Sequence, residues 1–288
     1  MHIKHLLTIG AAVIGAAALP SSAAEATLKG VFALPGMTEK VTAELVVRET
    51  GPLARELLIA FTDKATGHPI THFDEELTQE LHVLATDSDF SSFVHVHAGK
   101  RGQDGRFPVA VHFPKPGTYH VYADAMPTGL GQQVVRFDVP VDIAAVPAAS
   151  QHTPVDAATG SDGPYTIELD VSSLRAGTES MMALTILKDG NPATDLGLYL
   201  GVAAHAVFVS TDDLGYVHAH AMAADAPHGG HGSHGPHGAH GDPNAAVPAT
   251  LMLHAMPPRA GRYALWIQFK GGGQVRTVPF VVNVPAAP

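Results

Sequence analysis

The feature that most constrains this chain is that it matches itself. At an offset of 123 residues, Gly67-x-Pro69-x-Thr71 aligns without gaps to Gly190-x-Pro192-x-Thr194, His82 to His205 and Asp89 to Asp212. In the same register Phe93-Val94-His95-x-His97-Ala98 aligns to Tyr216-Val217-His218-x-His220-Ala221. Farther on, Pro116-Gly117-Thr118-Tyr119 corresponds to Ala260-Gly261-Arg262-Tyr263 at an offset of 144, so the second copy carries an insertion of 21 residues. A repeat of this length predicts two similar folded units, each with its own core.

Within each copy the pattern is β. Short alternating or apolar runs recur between Gly/Pro turns: Ala43–Val47, Glu56–Phe61, Leu81–Thr86, Phe93–Ala98, Val109–Phe113, Tyr119–Ala123 and Val134–Val139. No long 3.6-residue period competes with them beyond the first 24 residues. Strands of this number and spacing predict an immunoglobulin-like β-sandwich. The expected organisation is a secretory leader over 1–24, a first sandwich over 25–143, a linker over 144–163 and a second sandwich over 164–288. The linker reading rests on the Ala, Pro, Ser, Thr and Asp content of that stretch, and the insertion is placed at 225–246.

The leader combines Lys4, the apolar run Leu6–Leu19 and the small residues Ser22-Ala23-Ala24, which predicts cleavage before Glu25 and a periplasmic location. The apolar run is shorter than a bilayer span requires, and no later segment is apolar enough, so no membrane span is expected after cleavage. With 17 Lys plus Arg against 27 Asp plus Glu, the formal charge of −10 argues against a nucleic-acid partner and favours small cations.

There is no cysteine, while the 19 histidines outnumber the basic residues. Any transition metal held here must therefore use imidazole, thioether, carboxylate or backbone ligands. If the runs at Leu81–Thr86 and Phe93–Ala98 pair as a hairpin, His82 falls opposite His95 or His97. Side-chain alternation then puts His95 and His97 on one face. His205, His218 and His220 repeat the arrangement, giving two candidate metal triads. Against this stands the structural reading, in which the six imidazoles only hydrogen-bond within the core. Further candidate ligands are His112, His120, Asp124 and Met126 in the first copy and His254 and Met256 in the second. A third candidate is the insertion, where His228, His231, His234, His237 and His240 recur every third residue among glycines. Metal loading is expected to weaken as pH falls through about 6.5, where an unperturbed imidazole protonates.

Zinc-protease, nucleophile-elbow and phosphate-loop motifs are absent, and the acidic run Asp74-Glu75-Glu76 reads as a solvated face, so no enzymatic activity is expected.

The segment Asp195 to His205, with Asp212 and Tyr216-Val217-His218-Ala219-His220, resembles a module of bacterial secreted proteins carrying a Tyr-Leu-Gly segment and an aromatic-x-His-x-His run. The ending Gly261-Arg262-Tyr263-Ala264-Leu265-Trp266 is similar too. The first copy resembles the same group and the YtkA-like, immunoglobulin-like modules through Leu81-His82 and Phe93-Val94-His95-Val96-His97. It departs by lacking the Tyr-Leu-Gly segment, and Ala98 and Ala221 stand where the pattern has proline. The resemblance implies cupredoxin- or CopC-like sandwiches that accompany copper or other heavy-metal handling. The resulting expectation is periplasmic binding, buffering or delivery of a transition metal. A copper ion is favoured, with zinc or nickel as the alternative, and an envelope metal transporter or efflux component is the possible partner. The competing expectation is a non-catalytic envelope interaction module.

Overall fold

A computed structural model of the protein describes residues 25–142, 159–223 and 246–288. These residues are all β. The first half contributes β1 (Glu25–Lys29), β2 (Val31–Phe32), β3 (Val41–Gly51), β4 (Ala54–Asp63), β5 (Phe73–Asp74), β6 (Leu81–Asp87), β7 (Phe93–His97), β8 (Phe107–His112), β9 (Gly117–Pro127) and β10 (Gln133–Val141). The second half contributes β11 (Thr159–Asp162), β12 (Tyr165–Leu169), β13 (Ser180–Lys188), β14 (Asn191–Pro192), β15 (Leu196–Gly197), β16 (Ala204–Ser210), β17 (Tyr216–Ala223), β18 (Thr250–Ala255), β19 (Gly261–Gly271) and β20 (Gln274–Val284). Thr159–Asp162, assigned to the linker by composition, instead pair with β12 as the opening strand of the second half.

The first half stacks two antiparallel sheets, ordered β1-β3-β4-β8 and β2-β10-β9-β6-β7. Leu45, Leu57, Ile59 and Val109 from the first sheet close on Val83, Ala85, Val121 and Phe137 from the second. In the second half one continuous ladder runs β11-β12-β13-β18-β17-β16-β19-β15. It wraps round its own core because β17 pairs with β18, a junction that the equivalent β7 and β8 do not make. Its core holds Ile167, Leu184, Phe208, Leu253, Ile267 and Phe280.

An antiparallel sheet with one face in water alternates buried and exposed residues. Strands β6 and β16 do not: every residue of both is buried. Their second faces are covered by each other's halves. Leu84, Tyr122 and Val134 from the first half pack with Val207, Val209, Tyr216 and Trp266 from the second, forming a third core between the sandwiches. Phe93 stacks on Trp266 with ring centres 4.8 Å apart, and Tyr122 stacks on Tyr216 at 5.2 Å. By the repeat offsets Phe93 is the counterpart of Tyr216, and Tyr122 of Trp266. The two aromatic pairs are thus one contact made twice, as an approximate twofold relation between the halves requires. The Tyr216 amide donates to the Ala33 carbonyl (2.9 Å), and the Tyr122 hydroxyl to the Leu214 carbonyl (3.0 Å), tying the halves across this core.

Candidate metal centre

The hairpin turn sets the histidine register. The Asp87 carboxylate at the end of β6 accepts the amides of Ser91 (2.8 Å) and Ser92 (2.9 Å), and Lys115 Nζ lies 2.6 Å from it. With the turn so closed, His82 falls opposite His97 and Leu84 opposite His95. The second half repeats this, with His205 opposite His220 and Val207 opposite His218. Val83 and Val96 point into the first core, so His82, His95 and His97 share the other face, toward the second half.

A second local structure fixes the first histidine of each triad. Glu76 and Gln79 bridge a two-residue turn whose central residues, Leu77 and Thr78, both have positive φ (48° and 73°). Tyr199 and Val202 bridge the same turn around Leu200 and Gly201 (51° and 83°). Each turn aims a carbonyl at a ring: His82 Nε2 donates to Glu76 O at 2.8 Å, and His205 Nε2 donates to Tyr199 O at 2.9 Å. A neutral imidazole that donates from Nε2 carries its lone pair on Nδ1.

The second histidine is fixed from the opposite half. His95 Nδ1 donates to Gln268 Oε1 at 2.7 Å, while Gln268 Nε2 donates to Thr277, which sets the amide's orientation. His218 Nδ1 donates to Asp124 Oδ2 at 3.2 Å. The remaining lone pairs sit on His95 Nε2 and His218 Nε2. These face His82 Nδ1 and His205 Nδ1 at 3.4 Å in both triads. His97 and His220 complete the groups, with ring centres 4.7–5.4 Å from the other two members, and His97 Nε2 is buried without a hydrogen-bond partner among the described residues.

This is a ligand geometry. Imidazole nitrogens bind at about 2.0–2.1 Å, so two that share an ion lie roughly 3.3–3.6 Å apart. His82–His95–His97 and His205–His218–His220 can each hold a metal ion, and a third group, Glu76–Asp124–His218, also places one ligand atom from each residue within 4.8 Å of the others. The two triads adjoin: His82 and His218 rings are 5.7 Å apart and His95 and His205 rings 6.1 Å, against 5.6 Å and 5.7 Å for His82–His95 and His205–His218 within the triads.

Burial favours the neutral form of five of these rings. It pushes His95 down to about 3, holds His205 and His218 well below the usual imidazole range, and lowers His82 and His97. Neighbouring imidazoles reinforce the effect on His95, His205 and His218. Neutral imidazole is the form that coordinates. Burial also raises two carboxyls. Glu76 is pushed up to about 8, with the Asp124 charge adding to the effect, and Asp124 is raised against the opposing influence of His82, Gln132 and Tyr216.

Glu76 is therefore not part of a solvated acidic face, as Asp74-Glu75-Glu76 suggests in sequence; its Oε2 is buried without a hydrogen-bond partner among the described residues. Asp124, a candidate ligand by sequence, lies in the centre as the anchor of His218. Gln268 was not singled out as a site residue, because the repeat pairs it with the unlike Asp124; Tyr199, paired with the unlike Glu76, stood out only as part of the Tyr-Leu-Gly segment.

The remaining candidates are placed as follows. His112 is exposed on β8, Met256 is 58% exposed, and His120 donates to Asp138 at 2.7 Å. Met126 follows Asp124 on the same face of β9, opposite Asp74. His254 lies opposite His220 on β18, with Nδ1 3.6 Å from Glu179. The leader and His228, His231, His234, His237 and His240 lie outside the described residues.

Fold and site together define a class: an all-β protein of two sandwich repeats with a histidine triad from each buried at their junction. The chain belongs to the family described as Domain of unknown function (DUF8832), which matches it twice, over residues 37–143 and 158–286. No curated protein matches it.

Proposed function

We propose that this is an exported, non-catalytic protein that binds, buffers or delivers a transition metal in the periplasm, with copper favoured over zinc or nickel. One observation carries the reading. In each triad an outside acceptor holds the far nitrogen of two histidines, leaving two lone pairs aimed at one point 3.4 Å apart. Two buried lone pairs in that arrangement repel unless a cation lies between them, and burial disfavours a proton in that role. Histidines kept only for packing have no need of this convergence.

Copper is favoured by the donor set, which is imidazole without thiolate, and by copper's position at the top of the divalent affinity order. The likeness to YtkA-like modules supports the same choice. Export rests on the leader, and periplasmic material whose intact mass begins at Glu25 is the expected product. An envelope metal transporter or efflux component is the natural recipient of a delivered ion. Among the described residues no helix is long and apolar enough to cross a membrane.

The test is a titration of metal-free protein lacking residues 227–241, so that the histidine-rich insertion contributes nothing. Copper, zinc or nickel should saturate near two ions per chain and raise the melting temperature, because a ligand bound only to the folded state stabilises it. Replacing His95 and His97 by Ala should leave one ion. Absence of saturable binding in the deletion variant would overturn the proposal for the triads.

A further inference from the structure

The two triads are alike in histidines and unlike in charge. At two positions beside the triads, the first copy has an acidic residue where the second has a neutral one. Asp124 and Gln268 are counterparts at the offset of 144. Each sits beside the first histidine of its own half, Asp124 opposite His82 and Gln268 opposite His205. Each nevertheless anchors the second histidine of the other half: Asp124 holds His218, and Gln268 holds His95. Glu76 and Tyr199 are counterparts at the offset of 123. The Glu76 carboxylate groups with Asp124 and His218, whereas Tyr199 presents a phenol ring 6.3 Å from His95. The first half therefore lends carboxyl groups to the second half's triad and receives an amide in return, while the Tyr199 ring lies between His205 (5.2 Å) and His95 (6.3 Å).

Asp124 is held for this role. Gln132 Nε2 donates to both carboxylate oxygens (3.0 and 3.1 Å), and the Tyr216 hydroxyl donates to Oδ2 (3.0 Å), with the carboxylate wholly out of solvent. A carboxylate behind a metal-bound imidazole makes the ring a stronger donor and compensates the ion's charge. A neutral amide orients the ring without supplying that charge. Removing such an outer partner typically costs 10–100-fold in affinity.

We propose that the two triads form one binuclear centre with inequivalent ions: a tightly held ion on His205, His218 and His220, backed by Asp124, and a weaker, exchangeable ion on His82, His95 and His97, backed by Gln268. The inference rests on the triads being metal sites and adds their order of filling. The His205 triad fills first and is retained; the His82 triad fills second and is the one that gives its ion up. Asp124 and Gln268 are positioning residues that act through the imidazoles.

The probe is Zn(II), titrated against a competing chelator into protein lacking residues 227–241. Two binding steps should appear, separated by at least about tenfold. Asp124→Asn should weaken the tighter step by about 10–100-fold and the other by less, since Asp124 lies opposite His82 but anchors His218. Gln268→Glu should tighten the weaker step by about tenfold, a gain that a merely structural substitution does not produce. His95→Ala/His97→Ala protein assigns the steps, since it should retain the tighter one. The gain from Gln268→Glu keeps the proposal testable if Asp124→Asn fails to fold. Two equal steps in the parent protein, or an Asp124→Asn loss confined to the weaker step, would overturn inequivalence while leaving the metal reading intact. Failure to bind Zn(II), copper or nickel at all would overturn both.

Discussion

Trp266 is the sharpest place to test the junction. It is the sole tryptophan of the chain, 3% exposed, and its ring lies over Phe93 of the other half. Its neighbours on β19, Leu265 and Ile267, point into the core of the second sandwich, while Trp266 belongs to the cluster between the sandwiches. Trp266→Ala should therefore act on docking rather than on either fold. Burying a tryptophan removes roughly 150–250 Å² from water, worth about 4–6 kcal/mol at ~25 cal/mol per Å². Partial collapse of the gap brings the expected loss to about 3–5 kcal/mol. A loss of about 4 kcal/mol weakens docking nearly a thousandfold. Calorimetry should resolve separate transitions for the two halves where the parent melts as one, and small-angle scattering should report a larger radius of gyration. Both metal-binding steps should weaken together, because each triad loses its anchor from the opposite half. An unchanged melt with an unchanged scattering profile would refute the claim that this core holds the halves together.

Three further outcomes follow from the centre. Metal-free protein should be most stable near pH 6.5–7. Five histidines with lowered values exclude protons that the unfolded chain binds below about 6.5, so stability falls as pH drops, His95 alone contributing up to about 1.4 kcal/mol per unit down to its value of about 3. Glu76 and Asp124, both raised, offset part of that slope, and above 6.5 the Glu76 value of about 8 makes stability fall with rising pH. A melting temperature flat from pH 5 to 8 would contradict these assignments. The same burial shifts the acid limit of metal loading below the 6.5 expected for unperturbed histidine, so chelator competition at pH 6 should find both ions still bound. Thr78→Gly should stabilise the first half by about 1 kcal/mol, read as a rise of a few degrees in its melt, because a β-branched residue at φ 73° is strained where the second copy has Gly201.

Much of this was legible in sequence for definite reasons. The period of two located β6, β7, β8 and β9, and the repeat singled out the six triad histidines. Pairing of His82 with His97 rather than His95 depended on the turn that Asp87 closes, which alternation alone does not specify. The junction was hidden for a different reason. On β6 the outward residues are His82, Leu84 and Thr86, a mixture that suits a solvated face as well as a covered one; only the other half decides between them. Glu76 shows the same ambiguity in stronger form, since an acidic run reads as exposed unless something covers it. Asp124 stood among the candidate ligands, but its pairing with His218 and the role of Gln268 were hidden, because recognition by repeat depends on identity and Asp124 against Gln268, like Glu76 against Tyr199, is a place where the copies diverge.

That divergence bears on why the two copies share a chain. A twofold dimer of one sandwich would bury the same aromatic pair twice and give both triads the same anchor. With Asp on both sides the two ions would be held equally tightly. With Gln on both sides neither would have a compensating carboxylate. Joining the copies covalently lets each position change alone. Tyr122 can face Tyr216 while Trp266 faces Phe93, and Asp124 can back one triad while Gln268 backs the other. The approximate symmetry supplies the six converging imidazoles, and two of the departures from it, Asp124 against Gln268 and Glu76 against Tyr199, fall beside them. A centre that keeps one ion and exchanges another needs both features, and a tandem chain is the simplest arrangement that provides them.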